Sequence, residues 1–221
     1  MNLISALNGR STQLFSSDEV RSERPPYLPE VIDRFLSRYG FVDRPDPKNA
    51  IDQGIKFVRG RLKKDDETIS IESLAIYNDG IVVVCSNTTD ADIVLDDAIE
   101  WGMQAFGMRQ PKLMPPRTYM SWLVVDFKEP PVASIVSKFS RIQSLIQSSF
   151  ESAYGQKHSF ELVRIAFNVD PKLLPPHTYT DFSIDRRGGV SYSDDRFFCG
   201  APLQTKQHIE FLESLEKILA Q

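Results

Sequence analysis

The run VVDFK (124–128) ends an apolar stretch with an acid and a lysine two positions apart. Metal-assisted cleavage of a phosphodiester uses such a pair: a carboxylate to help bind a divalent ion, and an ammonium to steady the attacking water or the phosphate. Asp126 and Lys128 would take those roles, with Asp79 as a second acid. Each has a plainer reading. A strand running into KEPP yields this spacing without chemistry, and Asp79 lies in NDG, the composition of a hairpin turn. A Cys199/His208 nucleophile–base pair lacks a residue to orient the base. The histidines, His158, His177 and His208, lack metal-ligand spacing. No phosphate-binding glycine loop, HExxH, paired CxxC or GxSxG occurs. The acids Asp90, Asp92, Asp96 and Asp97 read as the cap and solvated face of a helix rather than a metal cluster. No catalytic set, metal or cofactor is therefore expected; a metal-dependent nuclease using Asp126 and Lys128 is the alternative.

Binding is the stronger theme. PKLMPPRTY (111–119) and PKLLPPHTY (171–179) agree at seven of nine positions. Each copy offers a lysine, an apolar pair, two prolines fixed near polyproline II, a basic or titratable residue, and Thr-Tyr entering a strand. One reading makes both copies rigid rims that feed strands. The other sets them side by side, presenting Lys112, Arg117 and Tyr119 beside Lys172, His177 and Tyr179 to a peptide, an anion or another subunit. Rigid loops carrying Tyr and Arg lose little entropy on binding.

The segment 132–154 reads as a helix with an apolar stripe of Ile135, Phe139, Ile142, Ile146, Phe150 and Ala153. Its other face carries Ser137, Ser140, Ser144, Ser148 and Ser152 with few charges. Small residues at this spacing admit close approach of another element or a second chain, so Ser137, Ser140, Ser144 and Ser148 are interface candidates.

Further elements must hold these residues in place. A helix follows Pro29 and closes at Gly40, with Val31, Ile32, Phe35, Leu36 and Tyr39 on one face. Strands are expected at IKFVRGRL, TISIESLAIY and IVVVCS. A second helix, capped by Thr89 or Asp90, buries Leu95, Ile99, Gly102 and Phe106 and ends at Gly107. TYMSWLVVDF, SFELVRIAFNV, TYTDFSID and VSYSDDRFF add strands, and the last helix turns Ile209, Phe211, Leu212, Leu215, Ile218 and Leu219 inward. The order α-βββ-α-β-α-βββ-α lacks strict βαβ alternation. It predicts an α+β fold, an antiparallel or mixed sheet with amphipathic helices packed on it. Residues 1–28 read as a flexible N-terminal arm and 29–221 as a single α+β domain.

The 221 residues carry a net charge of −4, and 41% are hydrophobic. These values fit a globular chain and disfavour non-specific nucleic-acid binding; Arg186 and Arg187, at an expected hairpin tip, are the candidates for phosphate contact. No secretion signal or membrane span is read, and two cysteines make no disulfide framework, so a cytoplasmic setting is expected. The reading that unites these features is a non-catalytic protein–protein interaction or assembly subunit, within a homo-oligomer or a larger complex. A small-ligand or peptide sensor, with its site between the repeat loops, is a further alternative.

Overall fold

The computed structural model describes residues 1–15, 20, 27–47, 54–64, 66–109, 111, 114–128, 131–170 and 181–219, the side chains of 131–139 and 219 excepted. Among these residues the chain builds eight strands and four helices of ten or more residues, an α+β fold with an antiparallel sheet. In order they are β1 (Asn2–Leu14), α1 (Leu28–Tyr39), β2 (Ile55–Lys64), β3 (Glu67–Tyr77), β4 (Gly80–Cys85) and α2 (Thr88–Phe106). Then follow β5 (Thr118–Asp126), α3 (Pro131–Tyr154), β6 (Arg164–Phe167), β7 (Phe182–Arg186), β8 (Arg196–Ala201) and α4 (Thr205–Leu219).

Written this way, the chain repeats itself. β-α-β-β-β-α occurs twice in succession, and in hydrogen-bonding order the strands run β2-β3-β4-β1-β5-β8-β7-β6. The sequence β2-β3-β4-β1 thus has its counterpart in β6-β7-β8-β5. The PKLxPPxTY motif does not follow this duplication. Its first copy enters β5, the opening strand of the second set, whereas its second copy precedes β7, a middle strand.

Two compact units are formed: Ala6–Trp122 with Pro202–Thr205, and Met1–Ser5 with Leu123–Ala201 and Lys206–Gln221. In the first unit, α1 packs on β2, and α2 on β3 and β4. Alternation along β4 turns Ile81, Val83 and Cys85 onto the helices. Val31, Ile32, Phe35 and Tyr39 of α1 are buried as the periodicity predicts, and Gly40 ends the helix at φ 57°. The core is aromatic at its centre, where the Phe35 ring stacks on Phe57 at 5.4 Å and meets Trp101 edge-on at 5.0 Å. Asp97 ties the two helices together, accepting 2.6 and 3.0 Å bonds from Arg38 and a 2.7 Å bond from the Tyr39 hydroxyl.

α2 is capped by Asn87, whose side chain accepts from the Asp90 N–H at 2.9 Å, rather than by Thr89 or Asp90. Thr88 and Thr205, the first residues of α2 and α4, also serve each other. The Thr205 N–H donates to Thr88 Oγ1 at 2.8 Å, and the Thr88 N–H donates to Thr205 Oγ1 at 3.0 Å. Each hydroxyl thereby satisfies a donor that a helix start otherwise leaves open.

The expectation of a flexible arm over 1–28 fails at residues 2–14. They form β1, paired antiparallel with β4 from Gly9↔Cys85 to Leu14↔Gly80. Gly9, Ser11 and Gln13 are the buried residues of this strand, so its inward face is small or polar. The reason is close backbone packing: an added Cβ at Gly9 would lie 2.2 Å from the Thr88 nitrogen. The Ser11 hydroxyl reaches the Thr88 carbonyl, and the Gln13 amide donates to the Pro115 carbonyl at 2.8 Å.

The second unit has a smaller core. Leu123 and Val125 of β5, Phe127, Ile184 of β7 and Phe197 and Cys199 of β8 surround Leu212 of α4. Ile209 and Leu215 pack on this cluster, whereas Phe211 and Ile218 are exposed, so the buried face of α4 is narrower than its composition indicates.

Candidate functional surfaces

The two repeat loops have different standing. Of the first copy, Arg117 and Tyr119 are described, while Lys112 lies outside the described residues, as does all of 171–179 with Lys172, His177 and Tyr179. Arg117 is tied into the fold. Its guanidinium bonds Gln13 at 3.3 Å and Asp92 at 3.2 Å, and pairs with Asp96. The loop therefore fastens the entry of β5 to β1 and α2, and Tyr119 sits half-buried in the strand. Of the acids read as a cap and solvated face, Asp92 and the exposed Asp96 pair with Arg117, and Asp97 pairs with Arg38.

Asp126 is engaged as well. Arg196 of β8 grips its carboxylate in a fork, with 2.8 and 3.0 Å bonds, and holds it below the usual carboxylate range. A metal ion would have to displace that guanidinium. The Lys128 N–H donates to Glu216 at 2.7 Å, and the other Glu216 oxygen meets the amino group of Met1. Asp79 lies in the β3–β4 turn, where its carbonyl accepts from the Phe15 N–H at 2.9 Å. Among the described residues, no three His, Cys, Asp or Glu side chains are grouped to hold a metal.

Arg186 is not a solvated hairpin tip. Its guanidinium lies 4.8 Å from the Tyr192 ring centre and 5.2 Å from that of Phe197, and it donates to the Tyr192 carbonyl at 2.9 Å. Arg187 pairs through its backbone N–H with the Arg196 carbonyl at 3.0 Å.

α3 differs most from expectation. Ser140, Ser144 and Ser148 are exposed, and the side chain of Ser137 lies outside the described residues, as do those of Ile135 and Phe139. The Ser144 hydroxyl bonds the Ser140 carbonyl and the Ser148 hydroxyl the Leu145 carbonyl, both at 3.0 Å, so these groups are satisfied within their own helix. The described part of the apolar stripe is exposed. Ile142, Leu145 and Ile146 are 51%, 66% and 43% exposed. Its C-terminal end is packed, where Phe150 meets Tyr154, His158 and Phe160 at 4.7–5.4 Å. The Gln143 amide fixes this return by donating to the Phe160 carbonyl at 3.0 Å.

His208 gave no signal in the sequence beyond being a histidine on an amphipathic helix. It is 1% exposed on α4, and burial pulls its pKa from 6.5 down to about 4. The unfolded chain takes up this proton near pH 6.5 and the folded chain only near 4, so its effect on stability is absent above about pH 6.5 and grows as pH falls through that window. By pH 5 the loss is about 2 kcal/mol. Urea titrations at pH 7 and pH 5 will show it as a difference between wild type and His208→Gln. Identical pH slopes for the two proteins would remove the assignment.

No protein-family model matches this sequence, and no curated protein matches it at a significant level. No helix among the described residues is long and apolar enough to cross a membrane.

Proposed function

We propose that the chain is a non-catalytic assembly subunit that self-associates through α3. The uncovered stripe of Ile142, Leu145 and Ile146 carries this reading, since contiguous exposed apolar surface marks an interaction site where single exposed residues do not. The second copy is favoured as occupant because the exposed stripe is apolar along its described length. Ile142 continues it toward the N-terminus, and Leu145 and Ile146 join Ser149, Ala153, Tyr154 and Phe160 around a shallow apolar groove. An antiparallel, twofold pairing would lay the two stripes along each other. The stripe itself bears no charge, so identical faces meet without like-charge repulsion.

The state of the reactive groups also favours binding over catalysis. Burial pushes the Cys85 and Cys199 thiols up to about 12 each, so neither supplies a thiolate at neutral pH. Both are free and buried, in keeping with a reducing, cytoplasmic setting. Arg196 occupies the carboxylate on which the nuclease alternative depends.

Light scattering on the purified protein should give a mass of at least twice 25.1 kDa at micromolar concentration. Leu145→Arg, at an exposed position, should leave a folded monomer, and Ser144→Arg, on the opposite face of the helix, should leave the oligomer intact. A wild-type monomer across the concentration range would end the proposal.

A further inference from the structure

The first unit contains a cavity of about 720 Å³ between α1, α2 and the ends of β2, β3 and β4. Its size falls in the range of small-molecule sites, and its walls match their chemistry. Phe35 lines it from α1, Ala98, Gly102 and Phe106 from α2, and Ile76 and Ile81 from the sheet. Met103 and Met108 add unbranched, adaptable side chains. Among the described residues no charged side chain lines it, and its polar side chains are Tyr77 and Asn78, adjacent at the β3–β4 turn.

Gly102 is the residue that explains least well as structure. It lies inside α2, where glycine is the poorest helix former after proline. A Cβ added there would meet no atom within 4 Å. Close packing therefore does not require the missing side chain; its absence leaves room in the cavity wall.

We propose that this cavity binds a neutral, mainly hydrocarbon small molecule of about 20 non-hydrogen atoms, with one hydrogen-bonding group placed toward Tyr77 and Asn78. The described lining offers a carboxylate or phosphate no cation to offset its desolvation cost. A peptide would leave backbone groups without partners, since the two polar side chains of the described lining cannot satisfy them. The site is independent of self-association, and it differs in place and ligand from a peptide or anion site between the repeat loops.

The test is a fluorescence titration of the full chain with N-phenyl-1-naphthylamine, a neutral apolar probe. Saturable one-to-one binding is expected, displaced by 1-dodecanol and at least tenfold less well by dodecanoate at pH 8. Gly102→Phe projects a ring into the open space, and should weaken binding at least tenfold with an unchanged circular dichroism spectrum. If Gly102→Phe does not fold, Met108→Trp, beyond the helix end, provides the same comparison. Leu145→Arg should bind the probe as wild type does, which excludes the α3 stripe as its source. Lack of saturable binding by the folded chain, equal displacement by dodecanoate, or wild-type affinity in the filled variant would each overturn the proposal.

Discussion

Gly9→Ala is expected to destabilise the protein by about 3 kcal/mol or more, a large share of the stability of an ordinary domain. The added methyl would stand 2.2 Å from the Thr88 nitrogen and 2.3 Å from the Asn87 carbonyl carbon. Both are backbone atoms at the start of α2, held by the Asn87 cap and the exchange with Thr205. Neither side chains nor a loop can yield, so β1 must move away from the helix. The Ser11 and Gln13 bonds further along the strand would weaken with it. Gly102→Ala supplies the control. There the methyl enters open space inside a helix, and a gain of about 0.5–1 kcal/mol is expected. Two identical substitutions should therefore shift the urea midpoint in opposite directions. A Gly9→Ala midpoint within error of wild type would contradict the close approach of β1 to α2.

Phe35→Ala should cost about 3–5 kcal/mol. The ring is 2% exposed and contacts Phe57, Trp101, Tyr39 and Phe106, with centroids 5.0–6.2 Å away. Its removal deletes the member common to these contacts and leaves a void that the surrounding stiff rings cannot collapse to fill. At this chain length, each kcal/mol corresponds to about 2–4 °C in Tm, so a fall of about 6–20 °C is expected by calorimetry. Reversible unfolding with a Tm within 2 °C of wild type would show that Phe35 does not sit at the centre of this core. Both variants report on the first unit, whereas Leu145→Arg acts on an exposed side chain of the second and should leave stability nearly unchanged.

Much of the fold was legible in local pattern. The NDG turn, the alternation along β4, the buried face of α1 and the glycine ends of α1, α2 and α3 all follow from side-chain period and backbone preference. Gly40, Gly107 and Gly155 each take the left-handed conformation that stops a helix, at φ between 57° and 68°. These features depend on neighbours within a few residues, and sequence contains that information. It also placed Asp79 in its turn and set Thr118 and Tyr119 at the mouth of β5.

Long-range pairing decided the rest. β1 escaped notice because its inward positions are Gly9, Ser11 and Gln13, the reverse of a hydrophobic alternation. They face helix backbone and loop carbonyls, partners about 75 to 100 positions away in sequence that local pattern cannot reveal. Missing that one strand also concealed the duplication, since without it the first β-α-β-β-β-α set begins at its helix. Charges were misread for the same reason. Asp92 looks solvated until the fold brings Arg117 against it, Asp126 looks free for a metal until Arg196 grips it, and Arg186 looks like a loop tip until Tyr192 and Phe197 enclose it. On α3, sequence alone determined an amphipathic helix with an apolar stripe. Only tertiary structure could decide whether that stripe meets a core, and from Ile142 to Ile146 it does not, because burial depends on what lies opposite a face rather than on its composition.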